Sequence, residues 1–203
     1  LHRIITEGIE EVCVLNFASA TQPGGGFLNG RNAQEETLSR QSALYSSLKS
    51  ESEMYDYHKA NNNPFYSNYM IYSPNVPFFR DDNYNFIYPF TSSVITSPAV
   101  NYSELLKSGK SEKDIYPKVY KAMKKRCRRI IQLCIKEGNK AIVLGAFGCG
   151  VFKNPPEMIS KIFKEILIDE GLGKHLQYVV FPIYAKSGTS GNTYKVFHDT
   201  LQT

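Results

Sequence analysis

Three consecutive glycines, Gly24-Gly25-Gly26, stand seven residues ahead of Gln34-Glu35-Glu36. Glycines leave a backbone free to take positive φ and to lie directly against a ligand. A pair of carboxylates beside such a loop could carry general acid–base chemistry. Glu35 and Glu36 are adjacent, so on a helix they point about 100° apart. They do not form the facing pair, roughly 5–9 Å apart, that most glycosidases use. One of them can sit on a scissile bond while the other holds a neighbouring hydroxyl. A helix N-terminus stabilises ionised carboxylates, so a general acid here needs an opposing influence, either desolvation or a negative ligand. Taken alone, the two residues also fit plain first-turn acids that serve only the helix dipole.

The elements that must position this pair are readable on either side of it. Val12–Phe17 is a short apolar run that reads as a strand, and Asn32-Ala33-Gln34-Glu35 reads as an N-cap followed three positions later by an acid. The order strand, glycine loop, helix with two carboxylates in its first turn is how a small-molecule site is built at the end of an α/β sheet. A second such unit lies downstream. The strand Ala141–Leu144 runs into Gly145-Ala146-Phe147-Gly148-Cys149-Gly150-Val151-Phe152, and a helix is expected to open at Asn154-Pro155-Pro156-Glu157 with Asn154 as its cap. Converging backbone N–H groups and a helix N-terminus make a seat for phosphate. No Gly-Lys-Ser/Thr follows, and the third glycine of a dinucleotide fingerprint is missing, so a diphosphate held without a dedicated lysine fits best. Two glycine loops could then grip one extended ligand from both sides.

With 203 residues the chain fits one domain, 1–203, and its 42% hydrophobic content supplies a core. Five apolar runs read as strands: Val12–Phe17, Tyr69–Tyr72, Val94–Thr96, Ala141–Leu144 and Tyr178–Ile183. Helical patterns cover Gln34–Leu48, Ile115–Lys136, Pro156–Asp169 and Thr193–Leu201. This alternation predicts a three-layer α/β sandwich. The Asn/Pro/Tyr-rich stretch Asn61–Asp82 reads as a long surface segment crossing near the pocket. No run approaches the roughly 20 apolar residues that span a bilayer, and no leader pattern is present. Cys13, Cys127, Cys134 and Cys149 lack zinc spacing and read as buried reduced thiols of an intracellular protein. The histidines, His2, His58, His175 and His198, show no metal spacing either, so no metal or cofactor is expected. The net charge of +5 suits an anionic ligand but does not by itself indicate nucleic acid. The basic run Lys124-Lys125-Arg126-Cys127-Arg128-Arg129 is expected on the outward face of its helix, either solvated or touching a polymeric anion. Cys149 has no histidine spaced to activate it and reads as a small residue in a tight loop.

A triple glycine followed six to eight residues later by Gln-Glu-Glu resembles the signature of the poly(ADP-ribose) glycohydrolases. The wording Asn16-Phe17-Ala18-Ser19, Pro23-Gly24-Gly25-Gly26-Phe27-Leu28 and Gln34-Glu35-Glu36 is similar to the microbial type of that family. Tyr72-Ser73-Pro74-Asn75-Val76-Pro77-Phe78-Phe79-Arg80-Asp81, Ser97-Pro98-Ala99-Val100-Asn101 and Gly145–Phe152 continue the similarity, which spans roughly residues 12–183. It departs at the front: related chains carry a longer, largely helical N-terminal part, and this one reads as a trimmed product or a minimal relative without it.

The resemblance implies a macrodomain-like α/β/α sandwich with a mixed central sheet, and a cofactor-free, monomeric, intracellular hydrolase (cytoplasm or nucleus) acting on ADP-ribose polymers. It implies Glu36 as the catalytic acid on the ribose 1″–2′ bond and Glu35 as the group holding the departing unit's ribose. Asn16 and the loop of Gly24, Gly25 and Gly26 would hold the distal ribose, Phe152 would pack on it, and Gln34 and Gly145 would belong to the substrate-binding set. Gly148, Cys149, Gly150 and Val151 would face the diphosphate through backbone N–H groups. For the adenine seat the candidates are Tyr184, Tyr194 and Phe197, with Phe78 or Phe79 as further ones. ADP-ribosylated protein or DNA as substrate, or a non-catalytic ADP-ribose reader, are the alternative readings. An intact Glu35-Glu36 pair speaks for the enzyme, since a reader does not need it.

Overall fold

The computed structural model describes residues 5–183 and 189–202, with no account of the side chains of 189–191. Five strands form one mixed sheet in the order β2-β3-β1-β4-β5: β1 Val12–Phe17, β2 Ile71–Arg80, β3 Phe86–Ser97, β4 Ala141–Val143 and β5 Tyr178–Val180. β1 runs parallel to both β3 and β4, β4 parallel to β5, and β2 antiparallel to β3. The strand order reverses beside β1, whose chain leaves toward β2 and β3 on one side while β4 lies on the other. A crevice outside the carboxyl ends of β1 and β4 is where α/β sheets bind ligands.

Alternation along β1 assigns the two faces. Cys13 and Leu15, with Ile95 of β3 and Ile142 of β4, enter the main core under the long helix α5, Glu112–Lys136, and α6, Pro156–Lys164. Phe197 of α7, Thr189–Leu201, closes the same cluster. Val12 and Val14 point the other way with Ala141 and Val143, against Ile5, Ile9 and Leu38. On that face α1 Gln34–Gln41, α2 Leu44–Lys49 and α3 Glu53–Asn61 cover the sheet, with Leu44, Leu48, Met54 and Tyr55 packed on Ile71, Val76, Phe78 and Val94. β1 is therefore buried on both sides, as an interior parallel strand must be.

Several expectations change. The segment Asn61–Asp82 is not a surface crossing throughout: residues 71–80 form the edge strand β2, with Val76 and Phe78 buried. Pro74 and Pro77 are tolerated because an edge strand needs only one row of N–H donors, and the ladder with β3 is bulged between Ser73 and Val76. The helix expected over Gln34–Leu48 breaks at Ser42, which is extended (φ −144°) and bridges to Phe78. Its hydroxyl donates to Leu38 O at 2.7 Å and accepts Leu44 N–H at 3.2 Å, closing one helix and opening the next. The helix at Pro156 is entered from Pro155, and the Asn154 amide instead donates to Val100 O (2.8 Å) and Gly148 O (3.0 Å).

Finally, the basic run on α5 does not lie wholly outward. Arg126 is buried and donates to Pro98 O and Phe65 O, each at 2.8 Å. Lys124 and Arg128 are occupied by Glu165 and Glu170. A short helix α4, Tyr102–Leu106, capped by Asn101, completes the described elements around β3's exit.

Candidate active site

The β1–β4 ladder ends at Val14–Val143, whereas β1 stays paired with β3 as far as Phe17–Ser97. On the β4 side the last backbone groups of β1 are therefore without a strand partner, and Gln34 takes that place. Its Oε1 accepts Phe17 N–H at 2.8 Å and its Nε2 donates to Leu15 O at 2.7 Å. The side chain of Gln34 thus fixes the start of α1 against the open end of the sheet, and the next two residues are the carboxylates. Residues of opposite parity on β1 then part: Phe17 packs on Phe147, ring centroids 5.5 Å apart, while Asn16 faces α1 with Val12 and Val14.

Each carboxylate is held at both oxygens. Glu35 Oε2 accepts Ser19 N–H at 2.6 Å, and its Oε1 accepts Asn16 Nδ2–H at 3.3 Å. Glu36 Oε1 accepts Gly26 N–H at 3.0 Å, and its Oε2 accepts Ala33 N–H at 3.1 Å. The helix cap is Ala33 and the acid reaching back to it is Glu36, one residue later than the expected Asn32–Glu35 pairing. Gly25, at φ +60°, lies directly on the pair: a Cβ there would stand 2.5 Å from Glu36 Oε1 and 3.0 Å from Glu35 Oε2. Only glycine permits both the backbone conformation and the approach.

Burial dominates the electrostatics of Glu35. Desolvation pushes its carboxyl up to about 8, against the opposing pull of the Ser19 N–H and the Asn16 amide. Asn16 Nδ2 also donates to Thr96 Oγ1 at 3.2 Å, and its Oδ1 is buried without a hydrogen-bond partner.

The second glycine loop forms the opposite wall. Gly148, at φ +74°, has Ala99 Cβ 2.5 Å from where its own Cβ would be, and Asn154 N–H donates to its carbonyl at 3.1 Å. Gly150 has open space around its Cβ position. The Cys149 N–H turns back to Ala146 O at 3.1 Å, so that donor is spent within the turn. Burial pushes the Cys149 thiol up to about 12, which removes it as a nucleophile at neutral pH. Phe152 lies against Tyr66 (6.0 Å between centroids), and its carbonyl accepts Ser103 N–H.

Between the walls is a cavity of about 420 Å³ lined by residues of both loops: Phe17, Ala18, Ser19, Gln22, Gly25, Gly26, Arg31, Ala33, Gln34, Glu35, Glu36, Ala146, Gly148, Gly150, Val151 and Phe152. A larger hollow of about 600 Å³ lies behind Gln34 and Phe17, against the Val14–Val143 face of the sheet, away from the carboxylates. Asn16 reaches the cavity through Glu35. Gly24 and Gly145 shape the loops without lining it, each at positive φ.

Tyr194 and Phe197 border a separate small groove with Phe181 and Ile183, Phe197 being largely core. Phe78 is buried against Phe90, and Phe79 stacks on Phe86 of the β2–β3 hairpin. Tyr184 and His2 lie outside the described residues. Sequence reasoning passed over Arg31, which falls in the spacer between the glycines and the carboxylates and carries no local signal there. It also passed over His58, which is buried. The His58 ring donates from Nδ1 to Ala20 O (3.1 Å) and accepts Ser67 N–H at Nε2 (2.9 Å), tying the loop after β1 to the segment under Phe152. Among the described residues no three His, Cys, Asp or Glu side chains gather as a metal site, and no helix is long and apolar enough to cross a membrane.

A family model for the catalytic domain of microbial-type PARG matches residues 1–81. Among curated proteins there is no match. Among solved structures, the poly(ADP-ribose) glycohydrolase of Thermomonospora curvata is 34% identical, with a TM-score of 0.89 over 98% of this chain and 71% of that one. The same enzyme bound to the inhibitor ADP-HPD gives 34% and 0.88, over 97% and 73%. The poly(ADP-ribose) glycohydrolase of Deinococcus radiodurans in complex with ADP-ribose gives 35% and 0.89, over 99% and 79%. With such identity along nearly its whole length, and with the two glycine loops and the carboxylate pair assembled at one cavity, the chain belongs to the microbial-type poly(ADP-ribose) glycohydrolases.

Proposed function

We propose that this chain hydrolyses the ribose 1″–2′ glycosidic bond of poly(ADP-ribose) and releases ADP-ribose, with Glu36 as general acid. The observation that carries the reading is the pair itself, held at four carboxylate oxygens and facing a cavity whose far wall is a glycine loop. The terminal unit enters with its diphosphate against the backbone N–H groups of Gly148, Gly150, Val151 and Phe152, and the Phe152 ring packs on its ribose. Glu36 gives its proton to the leaving 2′-oxygen as the bond to C1″ breaks. Water then adds to the oxocarbenium ion and returns a proton to the Glu36 carboxylate. Glu35, neutral through most of the physiological range, offers ribose a hydroxyl donor and adds no negative charge of its own beside an anionic substrate. The chemistry uses only water and a positioned acid, with no cofactor. The free thiols support an intracellular setting.

The test is to incubate the protein with poly(ADP-ribose), mono-ADP-ribosylated protein and ADP-ribosylated DNA, and to quantify released ADP-ribose. Release from polymer is expected. Release from a mono-linked substrate alone moves the assignment to that linkage, and release from none leaves an ADP-ribose-binding module.

A further inference from the structure

We propose that Arg31 binds the phosphate groups of the unit on the leaving side of the scissile bond, and so selects polymer over substrates whose leaving group carries no phosphate. This rests on the glycohydrolase reading above and adds a substrate-selecting residue to it. Among the described residues lining the catalytic cavity, Arg31 is the one cationic side chain. Glu35 and Glu36 line the same cavity and the substrate is an anion, so this exposed guanidinium is the cation the cavity offers it.

Its placement is built by the loop. Gly26 O accepts both Asn29 N–H (2.9 Å) and Arg31 N–H (3.1 Å), and Gly30 turns the chain at φ +76°. The Arg40 guanidinium donates to Arg31 O and to Phe27 O, clamping the turn from below. The Arg31 stem crosses Gly26 so closely that no Cβ fits there, and the N–H of Gly26 is a donor to Glu36.

The guanidinium therefore starts beside the general acid, on the wall opposite Gly148, Gly150 and Val151. If the terminal unit's diphosphate sits on the glycine wall, the group departing across Glu36 leaves past Arg31. Among the described residues Arg31 makes no ion pair, whereas Lys124 and Arg128 on α5 are already matched to Glu165 and Glu170. An unpaired guanidinium with its planar fork of donors is the group best suited to phosphate oxygens.

The experiment compares wild type with Arg31→Ala and Arg31→Lys on two substrates, poly(ADP-ribose) and ADP-ribose bearing a neutral aryl group on the 1″-oxygen. In Arg31→Ala the ratio of kcat/KM for polymer to kcat/KM for the aryl substrate is expected to fall at least tenfold. Arg31→Lys should recover part of that loss, and the fall of polymer kcat/KM with added salt should flatten in Arg31→Ala. An unchanged ratio with both substrates cleaved overturns the role of Arg31 alone. An equal loss on both substrates also overturns it, because Arg31 would then act through Glu36. If wild type cleaves neither substrate, the glycohydrolase reading itself fails and this inference with it.

Discussion

Replacing Glu35 with Gln tests the least ordinary electrostatic feature of the site. In the folded chain the Glu35 carboxyl titrates at about 8, against 4.5 for an unperturbed glutamate, chiefly because it is buried. A folded-state pKa above the unfolded value means that the folded protein holds the extra proton between those two limits. The contribution to stability is then fully present below pH 4.5 and is lost as pH rises through about 8. At 1.36 kcal/mol per pKa unit, the gap corresponds to roughly 4–5 kcal/mol of pH-dependent stability. For a domain of this size that is on the order of 10 °C in Tm. Glutamine copies the neutral carboxyl and cannot titrate, and Asn16 can turn its amide to accept from the new NH2 group. Thermal unfolding of wild type and Glu35→Gln should be followed from pH 5 to pH 8.5. Titrating groups that do not interact with Glu35 are common to both chains and cancel in the difference. Wild type should lose about 10 °C relative to the variant across that range. A Tm difference that stays constant with pH would refute the neutral, buried Glu35.

Further outcomes follow from the same geometry. Gly150→Val meets open space in the protein, so it should leave Tm level while weakening ADP-ribose binding more than tenfold, about 1.4 kcal/mol by calorimetry; unchanged affinity would move the diphosphate elsewhere. Gly148→Val must fight a positive φ and Ala99, so it should lower Tm as well as affinity. ADP-ribose should bind at about micromolar affinity or better, and a chelator should leave that affinity unchanged, since no metal site gathers among the described residues. Arg126→Met should destabilise the fold by roughly 2–4 kcal/mol in urea unfolding, because Pro98 O and Phe65 O lose their buried donors. An effect below 0.5 kcal/mol would mean that water replaces the guanidinium.

The parts of the site that were legible in the sequence are those with local chemical signals. Glycine runs announce backbone that must take positive φ, as Gly24, Gly25, Gly145 and Gly148 do. An acid in a helix's first turn announces a cap, although the partner proved to be Glu36 with Ala33. β1 was visible as an unbroken apolar run because an interior strand is buried on both faces.

What stayed hidden depends on neighbours distant in sequence. β2 carries two prolines that look like loop until β3 is beside it, leaving only its first residues recognisable. The break at Ser42 follows from a bridge to Phe78, which no helical pattern reports. Arg126 looked solvent-facing because its run is basic, yet its acceptors are carbonyls from two other segments. Asn154 looked like a cap because prolines and an acid follow it, but its amide is drawn to Val100 and Gly148. Arg31 falls in a spacer, where the identity of a side chain says little until the loop is folded.

The central claim is that Glu36 is the proton donor at a site whose ligand contacts lie mainly on another loop. Glu36→Gln keeps the size of the side chain and one of the two acceptors that meet Gly26 N–H and Ala33 N–H, but removes the transferable proton. The variant should bind ADP-ribose within a few-fold of wild type, while turnover of poly(ADP-ribose) falls by at least the roughly 10²–10⁴ typical of a lost general acid. Glu35→Gln should fall between the two. Polymer hydrolysis by Glu36→Gln at the wild-type rate, with binding intact, would contradict the account.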